Sequence, residues 1–200
     1  MDLVGITPEG MKRAAAALRA GDIIAYPTET VYGLGADPFN PDALQKLAAL
    51  KGRSSKNPFL LIVSSMEQLG AVASQVSERA LRYAEAFWPG PLSMVLPGNS
   101  NLPAMLLGAD GRVCVRLSAS EEATWLCETF GGAVVSTSAN AAGGTPALAP
   151  NQIESMGIGL CLDGGTLPPS APSTVFDPES GEVLREGVIA AADLQAVEVG

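Results

Sequence analysis

The chain contains no histidine among its 200 residues, and this absence excludes whole classes of site. A Ser-His-Asp triad, a histidine-activated cysteine and a histidine-containing zinc site cannot be built. The three cysteines, Cys114, Cys127 and Cys161, form no C-x-x-C pair, so we expect no structural metal and assign no metal ligands. Any chemistry must rely on charge, hydroxyls, backbone amides and carboxylates, which favours binding and positioning over a histidine base.

Charged residues and long apolar runs are also scarce. Only 16% of the residues are charged and 47% are apolar, which is typical of a sheet covered by helices. The longest apolar runs, such as residues 59–63, are as long as a strand and far shorter than a membrane span, so no membrane segment is expected. The first five residues lack the features of a secretory signal, and the odd number of widely spaced cysteines favours buried thiols over disulfides. We therefore predict a cytoplasmic protein.

The net charge of −9 argues against a general nucleic-acid scaffold, which would normally be basic. One stretch departs from this average, because residues 43–66 contain four basic residues and no Asp or Glu. The basic residues are Lys46, Lys51, Arg53 and Lys56. Such a short basic segment in an acidic protein suits the binding of a small anion better than the binding of a long phosphate backbone.

Strand-like and helix-like segments alternate along the chain. Helices are expected from Thr7-Pro8 to Gly21, from Asn40-Pro41 to residues 51–52, from Ser77 to residue 87, over 121–130 and at the C-terminus. Strands are expected over residues 22–26, 59–63, 92–96, 112–117, 133–137, 159–162, 174–177 and 183–184. This order predicts a single α/β domain over residues 1–200, with a mostly mixed sheet and helices packed on it.

Three loops that are expected to follow buried strands are rich in hydroxyls and small residues. They are the loop 27–35, which opens Pro-Thr-Glu-Thr, the segment Ser-Thr-Ser-Ala-Asn at 136–140, and Pro-Ser-Thr at 172–174. In α/β sheets, ligands bind beyond strand ends, where such groups can hold phosphate, carboxylate and ribose. Ser, Thr, Asn and Pro are also ordinary turn formers, so each loop taken alone has a structural explanation.

Fixed positive charge for a polyphosphate is expected from Lys51-x-Arg53, with Asn57 four residues beyond Arg53. A helix C-terminus also favours Lys for its dipole, which is an alternative explanation of Lys51.

The sequence has neither a P-loop nor a G-x-G-x-x-G fingerprint, so any ATP site lies outside those designs. Arg116 and Arg185 are further anion candidates, although single arginines more often form surface ion pairs. Trp88 is interpreted as a core anchor, and Glu29 has no partner visible in the sequence.

Together these segments resemble the YrdC family. The motifs that carry the resemblance are PTETVYGLG at 27–35, Lys51-x-Arg53, WPGP at 88–91, Val115-Arg116, STSAN at 136–140, PSTV at 172–175 and Arg185-x-Gly187. The first motif and the STSAN run are highly specific, and the match extends from about residue 7 to residue 187. The resemblance implies a twisted α/β sheet with a large concave face.

The resemblance also implies an L-threonylcarbamoyladenylate synthase, a nucleotidyltransferase that makes threonylcarbamoyl-AMP and pyrophosphate from L-threonine, bicarbonate and ATP. Mg²⁺ accompanies the ATP, and a partner complex then transfers the threonylcarbamoyl group to adenosine 37 of tRNA. By this resemblance the catalytic residues are Lys51, Arg53, Ser138 and Asn140. The same four residues, with Asn57, Arg116 and Arg185, are the expected ATP contacts, and the expected threonine contacts are Thr30, Tyr32, Ser173 and Thr174.

The chain departs from many members of this family where they carry a histidine. Ser64-Ser65 follows the strand after Lys-x-Arg, and residues 118–120 are Ser-Ala-Ser after the strand that ends in Val-Arg. Two other functions therefore stay open. One is a double-stranded RNA-binding protein of this fold without synthase activity, for which the net charge predicts only weak RNA contact. The other is a paralogue that processes carbamoyl phosphate.

Overall fold

The computed structural model describes residues 1–52, 58–141, 143–153, 156 and 158–199. The helices in these ranges are α1 (Pro8–Arg19), α2 (Pro41–Leu50), α3 (Met66–Val72), α4 (Glu78–Phe87), α5 (Glu121–Phe130) and α6 (Ala191–Val199). The strands are β1 (Asp2–Gly5), β2 (Ile24–Tyr26), β3 (Gly33–Ala36), β4 (Leu60–Val63), β5 (Leu92–Pro97), β6 (Arg112–Leu117), β7 (Val134–Ser138), β8 (Leu160–Asp163), β9 (Thr174–Asp177) and β10 (Glu182–Arg185). Short 3₁₀ turns lie at Ala104–Leu106 and Pro150–Gln152.

The helix boundaries follow from capping residues. Thr7 accepts a hydrogen bond from the Gly10 amide at 3.1 Å, and Asn40 caps α2 through its side-chain oxygen. Proline occupies the first position of both helices, where its missing N–H costs nothing. The C-terminal end of α5 is Gly131, whose φ of 89° is a left-handed conformation that suits glycine. The predicted helices were located correctly because these signals are local.

The described strands form one mixed sheet in the order β1-β8-β2-β3-β7-β4-β6-β5-β9-β10. The pairs β1–β8, β2–β8, β4–β6 and β5–β9 are parallel, and the other neighbouring pairs are antiparallel. The predicted α/β class and mixed sheet are confirmed.

Helices cover the two faces of the sheet unequally. Helices α1 and α5 pack on one face through residues such as Leu18 and Leu126, which share a buried cluster with Ile62 of β4. Helices α2, α3 and α4 belong to the other buried cluster, together with Leu61 of β4. Because side chains alternate along a strand, Leu60 points to the same face as Ile62. Leu60 lines a cavity instead of packing against a helix. Part of the sheet face that carries α1 and α5 is therefore not covered by these helices.

Several elements differ from the sequence expectation. Strand β3 overlaps the end of the segment that we expected to be a loop at residues 27–35, and β2 is shorter than the predicted strand 22–26. Glycine has low β-propensity, so the Gly-Leu-Gly-Ala sequence of β3 gives no local strand signal, and β3 exists because it pairs with both β2 and β7. Strand β1 and helix α3 were not predicted.

Two further expectations concern the cysteines and the membrane. Cys127 and Cys161 are buried as predicted, whereas Cys114 is only half-buried because its side chain lies at the cavity. Among the helices in the described ranges, none is both long enough and apolar enough to span a bilayer.

Candidate active site

A cavity of about 460 Å³ lies on the open part of the sheet face. Its floor is a row of neighbouring residues, since Cys114 of β6 pairs with Leu60 of β4 on one side and with Val95 of β5 on the other. Its volume falls within the range of about 300–1,000 Å³ that is common for small-molecule sites. Five residues predicted from the sequence line it: Thr30, Arg116, Ser138, Ser173 and Arg185.

The three hydroxyl-rich loops meet at this cavity. Strand β3, which follows the first loop, pairs with β7, so that Gly33 lies opposite Ser138. Beyond the strand ends, the Ala139 amide donates to the Tyr32 carbonyl at 2.8 Å, which joins the first two loops. Pro172 and Ser173 close the wall on the β9 side. The loops are therefore parts of one site rather than three separate turns.

The first loop also shows how a turn can prepare a ligand-binding hydroxyl. Thr28 Oγ1 donates to the Val31 carbonyl at 2.7 Å and lies 3.1 Å from Thr30 Oγ1. Because a hydroxyl has one proton, the Thr30 hydroxyl must be the donor in the contact between the two threonines. The remaining lone pairs of Thr30 are then acceptors, which suits an ammonium or hydroxyl of a ligand.

Lys51, Ser138 and Asn140 form one hydrogen-bonded cluster. The Lys51 ammonium donates to the Ser138 carbonyl at 2.8 Å, to the Asn140 carbonyl at 2.7 Å and to Asn140 Oδ1 at 2.8 Å. The Ser138 hydroxyl donates to the same Oδ1 at 2.5 Å. Lys51 is only 5% exposed, so it ties the end of α2 to the loop after β7. A direct phosphate contact by Lys51 would require exchange of at least one of these bonds.

Arg116 lies at the cavity wall and has an acidic neighbour that sequence reasoning missed. Its guanidinium is 3.6 Å from Glu29 Oε1. Glu29 also accepts hydrogen bonds from the Ser118 hydroxyl at 2.5 Å and from the Ala119 amide at 3.4 Å. The partners belong to β6 and the loop after it, about ninety residues further along the chain, so no local signal reveals them.

Arg185 is placed by a second network. Its Nη2 donates to the Ser173 carbonyl at 2.7 Å and to Ser173 Oγ at 3.0 Å. Ser173 Oγ is also 2.9 Å from Ser93 Oγ, and both serines are buried at the cavity. Ser93, which directly follows the first residue of β5, was not predicted as a site residue. Its position is explained by the parallel pairing of β5 with β9, which no sequence pattern signals.

Tyr32 and Thr174 lie near the site but point away from the cavity. The Tyr32 hydroxyl donates to the Gly165 carbonyl at 2.8 Å and accepts from the Gly164 amide at 2.9 Å. Burial raises the pKa of Tyr32 to about 12. Thr174 Oγ1 donates to the Ile189 carbonyl at 2.8 Å. These hydrogen bonds hold the residues next to the cavity wall in place. The expected contacts of Tyr32 and Thr174 with threonine stay predictions.

The sequence analysis also made predictions for Arg53, Asn57 and Trp88. Arg53 and Asn57 lie outside the described residues, so their assignment to a triphosphate stays a prediction. Trp88 packs partly buried against the core, and its indole N–H donates to the Leu92 carbonyl at 2.6 Å, in agreement with a core anchor.

The charge of the cavity is opposite to that of the chain. The described lining includes two arginines and contains no Asp or Glu, whereas the whole chain has a net charge of −9. Hydroxyls from three loops line the same cavity. Such a combination favours a small ligand with phosphate or carboxylate groups. The fold and the cavity thus define an α/β protein with a histidine-free cleft whose lining suits a small anion.

Comparison with known sequences identifies the family. The sequence model of the Sua5/YciO/YrdC family, described as telomere recombination, matches residues 16–187, and the chain belongs to this family. The resemblance to YrdC proteins is therefore confirmed. The threonylcarbamoyl-AMP synthase of Methylococcus capsulatus is 41% identical over 179 residues, which cover 88% of this chain and 96% of that protein.

Solved structures support the same assignment. A crystal structure of P. abyssi Sua5 complexed with L-threonine matches with a TM-score of 0.91 and 31% identity over 98% of this chain. The present chain spans only 61% of that protein. Escherichia coli YciO matches with a TM-score of 0.87, 24% identity and coverage of 96% and 98% of the two chains, which supports the fold alone.

Proposed function

We propose that the chain is a threonylcarbamoyl-AMP synthase that uses L-threonine, bicarbonate and ATP. The observation that carries this proposal is the convergence of three hydroxyl-rich loops and two arginines on one cavity. Relatives that carry this name are 35–41% identical over 88–90% of the chain, which supports the same activity here. As a synthase of this kind, the protein is an enzyme of the nucleotidyltransferase class.

The proposed reaction has two steps. The threonine amine forms a bond to the carbon of bicarbonate and water is lost, which gives a carbamate. A carbamate oxygen then attacks the α-phosphorus of ATP, the bond to the β-phosphate breaks, and pyrophosphate leaves. Neither step needs a histidine, because orientation and charge neutralisation supply the catalysis.

The residues divide naturally between the two substrates. Arg116 and the acceptor hydroxyl of Thr30 suit the carboxylate and the amine or hydroxyl of threonine. Arg185, Ser138 and Asn140, with Lys51 behind them, suit the nucleotide. Arg53 and Asn57 are proposed as triphosphate contacts on the strength of the sequence motif. Mg²⁺ is proposed to arrive as the Mg–ATP complex, as part of the substrate.

A pyrophosphate-release assay tests this function. Wild-type protein with Mg–ATP, L-threonine and bicarbonate should release pyrophosphate and form a product with the mass of threonylcarbamoyl-AMP, and omission of any substrate should abolish both signals. Loss of one charge-assisted contact costs about 1.5–3 kcal/mol, so Arg116→Gln should reduce kcat/KM for threonine by about 10–150-fold.

The matched control is Arg13→Gln, which removes an arginine from an exposed ion pair with Asp2, far from the cavity in the sheet order. This variant should retain full activity. Absence of product with wild-type protein would refute the function. Steady release of phosphate from carbamoyl phosphate would instead favour the paralogue that processes that compound.

Other roles implied by the family stay proposals. They are delivery of the product to a complex that acts on tRNA, weak RNA contact, and a cytoplasmic location. The acidic net charge predicts that any RNA affinity is weak, and contacts to phosphates would make that affinity fall as the salt concentration rises.

A further inference from the structure

We propose that Ser118 restrains the Glu29 carboxylate, so that the Arg116 guanidinium stays available to the carboxylate of the amino-acid substrate. This inference rests on the proposed function and deepens it. It assigns Ser118 and Glu29 as positioning residues, which act on substrate only through Arg116.

The first step concerns Arg116 itself. Its side chain is only 3% exposed, yet it contributes to the cavity wall. Its Nε is buried without a hydrogen-bond partner among the described residues. Burial of a guanidinium is unfavourable unless its charge is compensated and its donors are used. A cation held in this way can gain strongly from an anion that enters the cavity.

The second step concerns the distance to Glu29. The contact between Arg116 Nη1 and Glu29 Oε1 is 3.6 Å, which is longer than a hydrogen bond. Unrestrained Arg–carboxylate pairs usually close to about 2.7–2.9 Å and are often bidentate. Glu29 is thus near enough to compensate the buried charge and too far away to occupy the guanidinium donors.

The third step identifies what keeps the two groups apart. The Ser118 hydroxyl donates to Glu29 Oε2 at 2.5 Å, and the Ala119 amide approaches Oε1 at 3.4 Å. Ser118 is fully buried and its Oγ also accepts from the Ser120 amide at 3.2 Å, so its hydroxyl proton is directed towards Glu29. Both carboxylate oxygens are therefore engaged by the end of β6 and its loop.

This arrangement makes an unusual prediction about variants. In Ser118→Ala, Oε2 loses its donor while Glu29 keeps its charge, so the carboxylate should move onto Arg116 and compete with substrate. In the double variant Glu29→Gln/Ser118→Ala the competing charge is gone, and threonine binding should recover. Both variants lose the same contact to the Ser120 amide, so a difference between them reports the Glu29 charge alone.

The experiment measures steady-state kinetics and calorimetric binding of L-threonine for wild type, Ser118→Ala, Glu29→Gln and the double variant. Ser118→Ala should raise the KM and the Kd for threonine at least 10-fold. Glu29→Gln removes the compensating charge and should bind threonine at least as tightly as wild type. The double variant should bind threonine at least 3-fold more tightly than Ser118→Ala, and the KM for ATP and kcat should change less than about 3-fold in all of them. A purely structural role of Ser118 predicts no recovery in the double variant.

Two results would overturn the inference: a Ser118→Ala Kd for threonine within 3-fold of wild type, or a double variant that binds no better than Ser118→Ala. Thermal unfolding of each variant shows whether the fold is retained. If Ser118→Ala lowers the stability, the double variant carries the same change, so the two can still be compared for threonine binding. Threonine binding without product formation by wild type would refute the proposed function and leave this inference standing. Absence of threonine binding by wild type would refute both.

Discussion

Replacement of Lys51 by methionine should destabilise the protein as well as impair its site. The Lys51 ammonium donates three hydrogen bonds to Ser138 and Asn140 from a position that is only 5% exposed. In Lys51→Met the Asn140 Oδ1 atom keeps the Ser138 hydroxyl as a donor and the Ser138 carbonyl keeps the Asn140 amide at 3.0 Å, whereas the Asn140 carbonyl loses the ammonium. A carbonyl left without a donor costs about 1–3 kcal/mol, so the free energy of unfolding should fall by about 1–3 kcal/mol.

The assay is urea unfolding followed by tryptophan fluorescence and far-UV circular dichroism. For a chain of this size a loss of 1 kcal/mol lowers Tm by about 2–4 °C, so Tm in a parallel thermal unfolding experiment should fall by roughly 2–12 °C. The matched control is Lys46→Met on the same helix, because the exposed Lys46 makes one hydrogen bond, to the Gly21 carbonyl at 3.1 Å. That control should lose less than about 1 kcal/mol. If both variants were equally stable, the structural role of Lys51 would be refuted.

Two further predictions concern the cavity floor. Burial raises the pKa of Cys127 and of Cys161 to about 12, so a small thiol reagent at pH 8 should modify the half-buried Cys114 first, and Mg–ATP with threonine should slow that reaction. Equal rates at all three thiols would contradict the described burial. A Cβ at Gly33 would lie 3.1 Å from the Ser136 hydroxyl oxygen at the cavity, so Gly33→Ala should raise KM several-fold. Gly70→Ala, whose Cβ meets nothing within 4 Å, should leave KM unchanged.

The features that the sequence predicted well are those with local physical causes. The helices α1 and α2 follow from a capping residue and an adjacent proline, and the end of α5 follows from Gly131. Residues of the three hydroxyl-rich loops do line one cavity, and the binding of a ligand by these loops stays a prediction.

The features that were missed depend on distant pairing. Strand β3 is stabilised by two neighbours rather than by its own glycine-rich sequence. Glu29 and Ser118 meet across 89 positions of sequence, and Ser93 and Ser173 across 80. The choice of strand neighbours decides these contacts, and that choice is made by the whole core. Lys51 was predicted as a phosphate contact because of its charge. The structure adds that its ammonium donates three hydrogen bonds to oxygens of the protein itself.

The central claim is that one cavity, walled by Arg116, Arg185 and three hydroxyl-bearing loops, holds an amino acid beside a nucleotide. A crystal structure with L-threonine and a non-hydrolysable ATP analogue tests it most directly. We predict the threonine carboxylate within hydrogen-bond distance of Arg116 and the analogue in the same cavity, near Ser138 and Arg185. Threonine or the analogue bound on another surface, with this cavity unchanged, would contradict the account.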